Sequence, residues 1–193
     1  LCVDLRGSTR LCEDRLPFDV VFVLNQFFAE LSRALEETNG HYAQFNGDGL
    51  MAIYGLSGDP RAGAKDALRG AQAMLRRIEG LNARLEGELS EGLRIGIGIH
   101  IGEAIVGSMG PPETPIVSAL GDNVNIAARL EPQTKEFGVP LVVSAAVAEF
   151  SGADLAPFAR HTVAVKGRQQ SIEVYAVDNP GAITITDQTA AAE

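Results

Sequence analysis

Val20, Val23, Leu24, Phe27, Phe28, Leu31 and Leu35 recur at spacings of three and four. That period marks one face of an α-helix and predicts a helix over residues 17–37, with Pro17 in its first turn and Gly40 just past its end. A second helix opens at Asp59-Pro60 and carries Ala67, Ala71, Met74, Leu75 and Ile78 to about residue 85. Between the two, residues 42–45 and 50–54 read as short strands. Asn46-Gly47-Asp48-Gly49 joins them and is a hairpin signal. Residues 1–5 read as the end of a buried strand that runs into a turn-forming group, Arg6-Gly7-Ser8-Thr9. In residues 93–101, Ile95, Ile97 and Ile99 alternate with Gly96, Gly98 and His100, so this strand should have something packed close against one face.

Downstream, Gly102 turns the chain and residues 104–106 begin a partner strand, followed by a Gly/Pro-rich loop at 108–115 and a short strand at 116–119. Residues 121–137 predict a helix, 141–143 a strand and 144–150 a short helix capped by Ser144. A last hairpin pairs 162–166 with 172–177. The resulting order, β-α-β-β-α-β followed by extra strands and helices, is the ferredoxin-like or palm arrangement of an α+β fold. It implies one domain over residues 1–178. After Pro180 the periodicity stops, so residues 179–193 are expected to form a frayed tail.

The 193 residues are 46% hydrophobic and 21% charged, enough to bury a core. Sixteen Lys and Arg against 25 Asp and Glu give a net charge of −9, which argues against nucleic acid as a partner. It leaves room for a single nucleotide, because a metal ion can neutralise charge locally. No apolar run is long enough to span a membrane and no signal peptide is present, so a cytoplasmic location is expected. The chain begins without Met inside an apolar stretch and reads as a fragment cut close to, or inside, its first strand. Cys2 and Cys12 have no metal-ligand spacing and read as reduced thiols.

Asp4 ends a buried strand and Asp48 sits in a hairpin tip; either could serve only its turn. In a β-α-β-β unit the two ends can meet at one edge, where two carboxylates and backbone carbonyls suit Mg²⁺. The amides of Gly7, Ser8 and Thr9, at a helix entrance, can cradle phosphate oxygens. Asn125 and Arg129, four apart, share a helix face. That face is either solvated or aimed at a developing negative charge. Lys166 taken alone is an ordinary surface lysine. His100 reads as a packed strand histidine, Cys2 as core, and Phe45 as core alternating away from Gln44.

Val3-Asp4-Leu5-Arg6-Gly7-Ser8-Thr9, Phe45-Asn46-Gly47-Asp48-Gly49-Leu50-Met51-Ala52, Ile97 to Glu103 (IGIHIGE), Gly121 to Glu131 (GDNVNIAARLE) and Val165-Lys166-Gly167 occur in this order. The set resembles the catalytic domain of class III adenylyl/guanylyl cyclases of the bacterial kind, over residues 1–178. The resemblance implies a head-to-tail homodimer with sites at its interface and two Mg²⁺ or Mn²⁺ ions on Asp4, Asp48 and the Leu5 carbonyl. It makes Asn125 and Arg129 the transition-state pair supplied by the other subunit, and Lys166 the lysine that reaches the terminal phosphates. The implied reaction is in-line attack of the ribose 3′-hydroxyl on the α-phosphorus with loss of pyrophosphate. An upstream regulatory domain, in a protein that could be membrane-anchored, is also implied.

Gln44 and Ser118 match the base-reading positions but carry neither the Lys/Asp pair of animal adenylyl cyclases nor the Glu/Cys pair of guanylyl cyclases. A Gln amide can both donate to adenine N1 and accept from its amino group, and Ser118 can accept from N6. Guanine presents two donors and wants a carboxylate, so ATP is the expected substrate. The alternatives are GTP or dual use, and a non-catalytic dimerisation or nucleotide-sensing module. A diguanylate cyclase would carry a Gly-Gly-Asp/Glu-Glu-Phe hairpin, which this chain lacks.

Overall fold

The computed structural model describes residues 1–13, 15–56, 58–164 and 171–186. Strands β1 (Cys2–Arg6), β2 (His41–Asn46), β3 (Gly49–Ile53), β4 (Arg94–Ile99), β7 (Leu141–Ser144), β8 (Ala159–Val163) and β9 (Ile172–Val177) form one sheet in the order β2-β3-β1-β4-β7-β9-β8. Among the described strands of this sheet only β4 and β7 pair in parallel. As the palm order requires, β1 lies between the hairpin strand β3 and β4. Helices α2 (Pro17–Glu37) and α3 (Pro60–Arg84) cover one face, and α4 (Asp122–Glu136) covers the other.

The alternation in β4 decides what each face receives. Ile95, Ile97 and Ile99 join Val3, Leu5, Phe27, Leu31, Leu68 and Met74 in the large core under α2 and α3. Gly96 and Gly98 face α4 instead. A Cβ on Gly98 would stand 2.3 Å from the Glu131 amide nitrogen and 2.7 Å from the Ala127 carbonyl oxygen. The close packing expected from alternate glycines is thus met by a helix backbone. Gly98→Ala should cost about 1–3 kcal/mol, the range for overpacking, because helix backbone cannot rotate aside as a side chain would. Thermal unfolding measures this, and an unchanged Tm would mean that α4 has slack over β4.

Helix α3 is entered as expected, with the Asp59 side chain accepting from the Arg61 amide at 2.9 Å. The two long helices are also tied by charge. Glu30, 2% exposed in α2, accepts from Arg33 at 2.8 Å, Arg77 at 2.9 Å and Arg84 at 2.6 Å. Burial alone would raise its pKa, but the Arg77 and Arg84 hydrogen bonds outweigh that and hold it below the usual value. A carboxyl depressed in the folded state stabilises above its unfolded pKa and loses that contribution as the pH falls. Glu30→Gln should therefore lower stability at pH 7 by about 1.5–3 kcal/mol, the range for hydrogen bonds to a charged group. It should also flatten acid unfolding between about pH 5 and 3. Denaturant titrations at both pH values measure this; an equal loss at pH 3 would mean that packing, and not charge, holds the site.

Four expectations need correction. The strand begun at 104–106 is β5 (Ile105–Met109), and it pairs with β6 (Ile116–Leu120) in a separate ribbon. It cannot join β4, both of whose edges are taken by β1 and β7. The turn group after β1 continues into a short helix, α1 (Ser8–Glu13). Phe45 is 54% exposed, not core. A bulge between Tyr42 and Gln44 puts Tyr42 and Phe45 on the same side, ring centroids 4.8 Å apart, and Phe45 packs edge-on to Phe28 at 4.6 Å. The chain past residue 178 does not fray at once. Pro180–Ala182 form a 3-10 turn, Ile183 is 4% exposed, and the Gln72 side-chain amide in α3 donates to the Pro180 and Ile183 carbonyls. A short helix, α5 (Ala145–Ser151), follows β7. Both cysteines are free.

Candidate active site

Antiparallel pairing sets Asp4 opposite Gly49 in β3 and opposite Gly96 in β4. Side chains alternate along a strand, so Asp4 lies on the α4 face while Val3 and Leu5 enter the large core. Gly49 leaves the space Asp4 occupies; a Cβ there would come within 2.7 Å of an Asp4 carboxylate oxygen. Gly47, at φ +71°, makes the hairpin tip that brings Asp48 back to the end of β1. The Leu5 amide donates to the Asp48 carbonyl oxygen at 3.3 Å. In an extended strand N–H and C=O of one residue point the same way, so the Leu5 carbonyl also faces the hairpin.

Burial, followed by the charge and hydrogen bonding of the neighbouring Asp48 carboxyl, pushes Asp4 from 3.8 up to about 6. Glu131, on α4, is pushed up to about 7 by burial and by the Asp4 charge, with the Asp48 charge adding to this and Arg6 opposing it. Glu131 was not singled out as a site residue from sequence. The glycines of β4 were its signal, for a Cβ on Gly96 would meet a Glu131 carboxylate oxygen at 2.5 Å.

Asp4, Gln44, Asn125 and Glu131 line one cavity of about 270 Å³, with Ala119 and Leu120 of the β5-β6 ribbon at its rim. Ser118, on β6 and 5% exposed, is beside this cavity but does not line it. Arg129, one helical turn beyond Asn125, is exposed. Gly7 and Ser8 line a different cavity, with Leu5, Arg6, Arg10 and Arg94, and Thr9 is exposed on α1. Lys166 lies outside the described residues. Among the described residues no three acidic, histidine or cysteine side chains are grouped as a metal site. The Asp4 and Asp48 carboxyls and the Leu5 carbonyl meet at this edge, with the Glu131 carboxyl near Asp4.

The palm is an α+β domain in which β1, between β3 and β4, brings Asp4 beside the hairpin tip that carries Asp48. The model of the adenylate and guanylate cyclase catalytic domain matches residues 1–179, and the chain belongs to that family. It is 33% identical over 175 residues to adenylate cyclase 1 of Rhizobium meliloti, covering 90% of this chain and 26% of that protein. It is 28% identical to an adenylate cyclase of Anabaena cylindrica, covering 92% and 36%. The chain thus spans about a quarter to a third of these relatives. Among solved structures, the guanylyl cyclase Cya2 superposes with a TM-score of 0.81 at 26% identity, covering 96% of this chain and 94% of that one. The adenylyl cyclase CyaB from P. aeruginosa, at 21% identity and TM-score 0.78, covers 97% and 93% and shares the fold. No described helix is long and apolar enough to cross a membrane.

Proposed function

We propose that this chain is an adenylate cyclase catalytic domain that converts ATP to 3′,5′-cyclic AMP and pyrophosphate, active as a head-to-tail homodimer. The Asp4–Asp48 pair beside the Leu5 carbonyl carries the reading. Burial and the Asp48 charge raise the Asp4 pKa, the mark of a site short of positive charge. Two carboxylates and one carbonyl leave room for water and phosphate oxygens, as Mg²⁺ and Mn²⁺ prefer. Two such ions, when bound, supply the charge that acidifies the ribose 3′-hydroxyl and neutralises the triphosphate.

The protein's own groups do the rest. Asn125 orients the ribose, and Arg129 donates to α-phosphate oxygens as charge builds there. The amides of Gly7, Ser8 and Thr9 bind phosphate oxygens, and Lys166 offsets charge on the leaving pyrophosphate. Gln44 and Ser118 meet the purine edge. Arg129 is exposed in the single chain and does not line the Asp4 cavity. That supports a nucleotide site completed by a second copy of the chain. The greater length of the relatives supports a regulatory domain outside this segment.

Incubation with ATP or GTP plus Mn²⁺, with chromatography of the products, tests the activity; cyclic AMP and pyrophosphate in equal amounts are expected. No cyclic product from either nucleotide would end the reading. The structural likeness to a guanylyl cyclase keeps GTP as the second substrate. Gln44→Glu offers guanine the double acceptor it needs and sets an acceptor against adenine N1. A mispaired buried polar group costs about 1–3 kcal/mol, so the ATP/GTP ratio of kcat/KM should fall by roughly 5- to 150-fold. An unchanged ratio in a folded variant would place base reading elsewhere. Because protonated Asp4 competes with a cation, Mn²⁺ should raise Tm at pH 7.5, with the rise shrinking as the pH falls through about 6. A pH-independent rise would separate the cation from Asp4.

A further inference from the structure

His100 follows β4 directly and contacts two other elements. Its Nε2 is 3.1 Å from Asn123 Oδ1 in the first turn of α4, and its Nδ1 is 2.8 Å from Ser144 Oγ at the end of β7. Asn123 Nδ2 donates to the Glu103 carbonyl at 2.9 Å. A carbonyl can only accept, so the amide orientation is fixed and Asn123 Oδ1 must accept from His100. That sets Nε2 as the donor to Asn123, while Nδ1 pairs with the hydroxyl of Ser144, which is fully buried. Gly102 closes the arrangement; a Cβ there would stand 2.3 Å from Asn123 Cγ.

This contact ties the first turn of α4 to the end of β4 and to β7. Its N-cap, Gly121, has no side chain to offer and sits at φ +148°. Further along, Ile126 and Leu130 are fully buried and hold the helix by packing. Asn125 lies between these two anchors, exposed and lining the Asp4 cavity.

We propose that His100 is a positioning residue: clamped by Ser144, it holds Asn123 and so fixes the turn that aims Asn125 at the substrate. This rests on the cyclase reading. A displacement of about 1 Å at a reacting centre can cost about 100-fold in rate, whereas Asp4, Asp48 and Gln44 stand on other elements and keep binding nucleotide.

The test is steady-state kinetics with ATP and Mn²⁺ on wild type, His100→Ala, His100→Gln, Asn123→Ala and the double alanine variant. Hydrogen exchange across α4 is measured in parallel. His100→Ala and Asn123→Ala should each lower kcat by about 10- to 100-fold, with KM within about twofold. The double variant should be no worse than the poorer single one, because the two share one interaction. His100→Gln, which keeps an N–H for Asn123, should recover part of kcat. Exchange at residues 124–126 should quicken by about tenfold while the turn around Leu130 is unchanged. If His100→Ala does not fold, Asn123→Ala and His100→Gln carry the same comparison. A folded His100→Ala or Asn123→Ala protein with wild-type kcat, or with the loss in KM alone, overturns the proposal, as does an additive double variant. A wild type that makes no cyclic nucleotide overturns the cyclase reading instead, and exchange at residues 124–126 then decides the anchor alone.

Discussion

Asp48→Ala protein should fold normally and lose cyclic-nucleotide production by several orders of magnitude. Asp48 holds the hairpin tip through its backbone carbonyl, which alanine retains, and the turn itself is made by Gly47. Its carboxylate, by contrast, is half of the donor pair to which the proposed mechanism assigns metal-assisted phosphoryl transfer. Stability carries a second signature. Asp4, held at about 6 against an ordinary 3.8, binds more proton folded than unfolded in that window. Stability of the metal-free protein therefore falls as the pH rises through it and stays lower above it. Removing Asp48 takes away two of the three causes of that shift, so the decline should flatten. Product formation at pH 7.5 and metal-free thermal unfolding from pH 4 to 8 measure the two effects. Near-wild-type turnover in the folded variant would detach the chemistry from this pair.

What the sequence revealed was whatever the chain encodes locally. The three-and-four spacing from Val20 to Leu35 marked α2 to its observed ends, and Asp59-Pro60 marked the start of α3. The glycines of β4 announced a close neighbour but not which element it was. That neighbour, α4, lies more than twenty residues away, so Glu131 came into the Asp4 environment only through tertiary packing. Phe45 does alternate away from Gln44, in regular register opposite Leu50, but β2 is the edge strand of the sheet, so its ring stays partly open to solvent. The β5-β6 ribbon was misassigned because a strand's partner depends on which sheet edges remain free, and local pattern does not carry that. Asp4 and Asp48 were legible as a pair because register and a tight turn fix their meeting. Gln44 and Asn125 line the Asp4 cavity, while Ser118 only borders it.

The claim that one working site is assembled from two copies is met most directly by mixing two inactive variants. Asp48→Ala keeps Asn125 and Arg129 intact, and Arg129→Ala keeps the paired aspartates. If the metal half comes from one chain and the transition-state half from the other, a mixed dimer contains one site made of two wild-type halves and one doubly damaged site. With random exchange half of the dimers are mixed, each with one of two sites working, so about a quarter of wild-type activity should return. The variants are purified separately, shown to be folded, mixed under conditions where subunits exchange, and assayed with ATP and Mn²⁺. Return of cyclic AMP production to about that level is the predicted result; a mixture that exchanges subunits yet stays as inactive as its components would contradict the shared site.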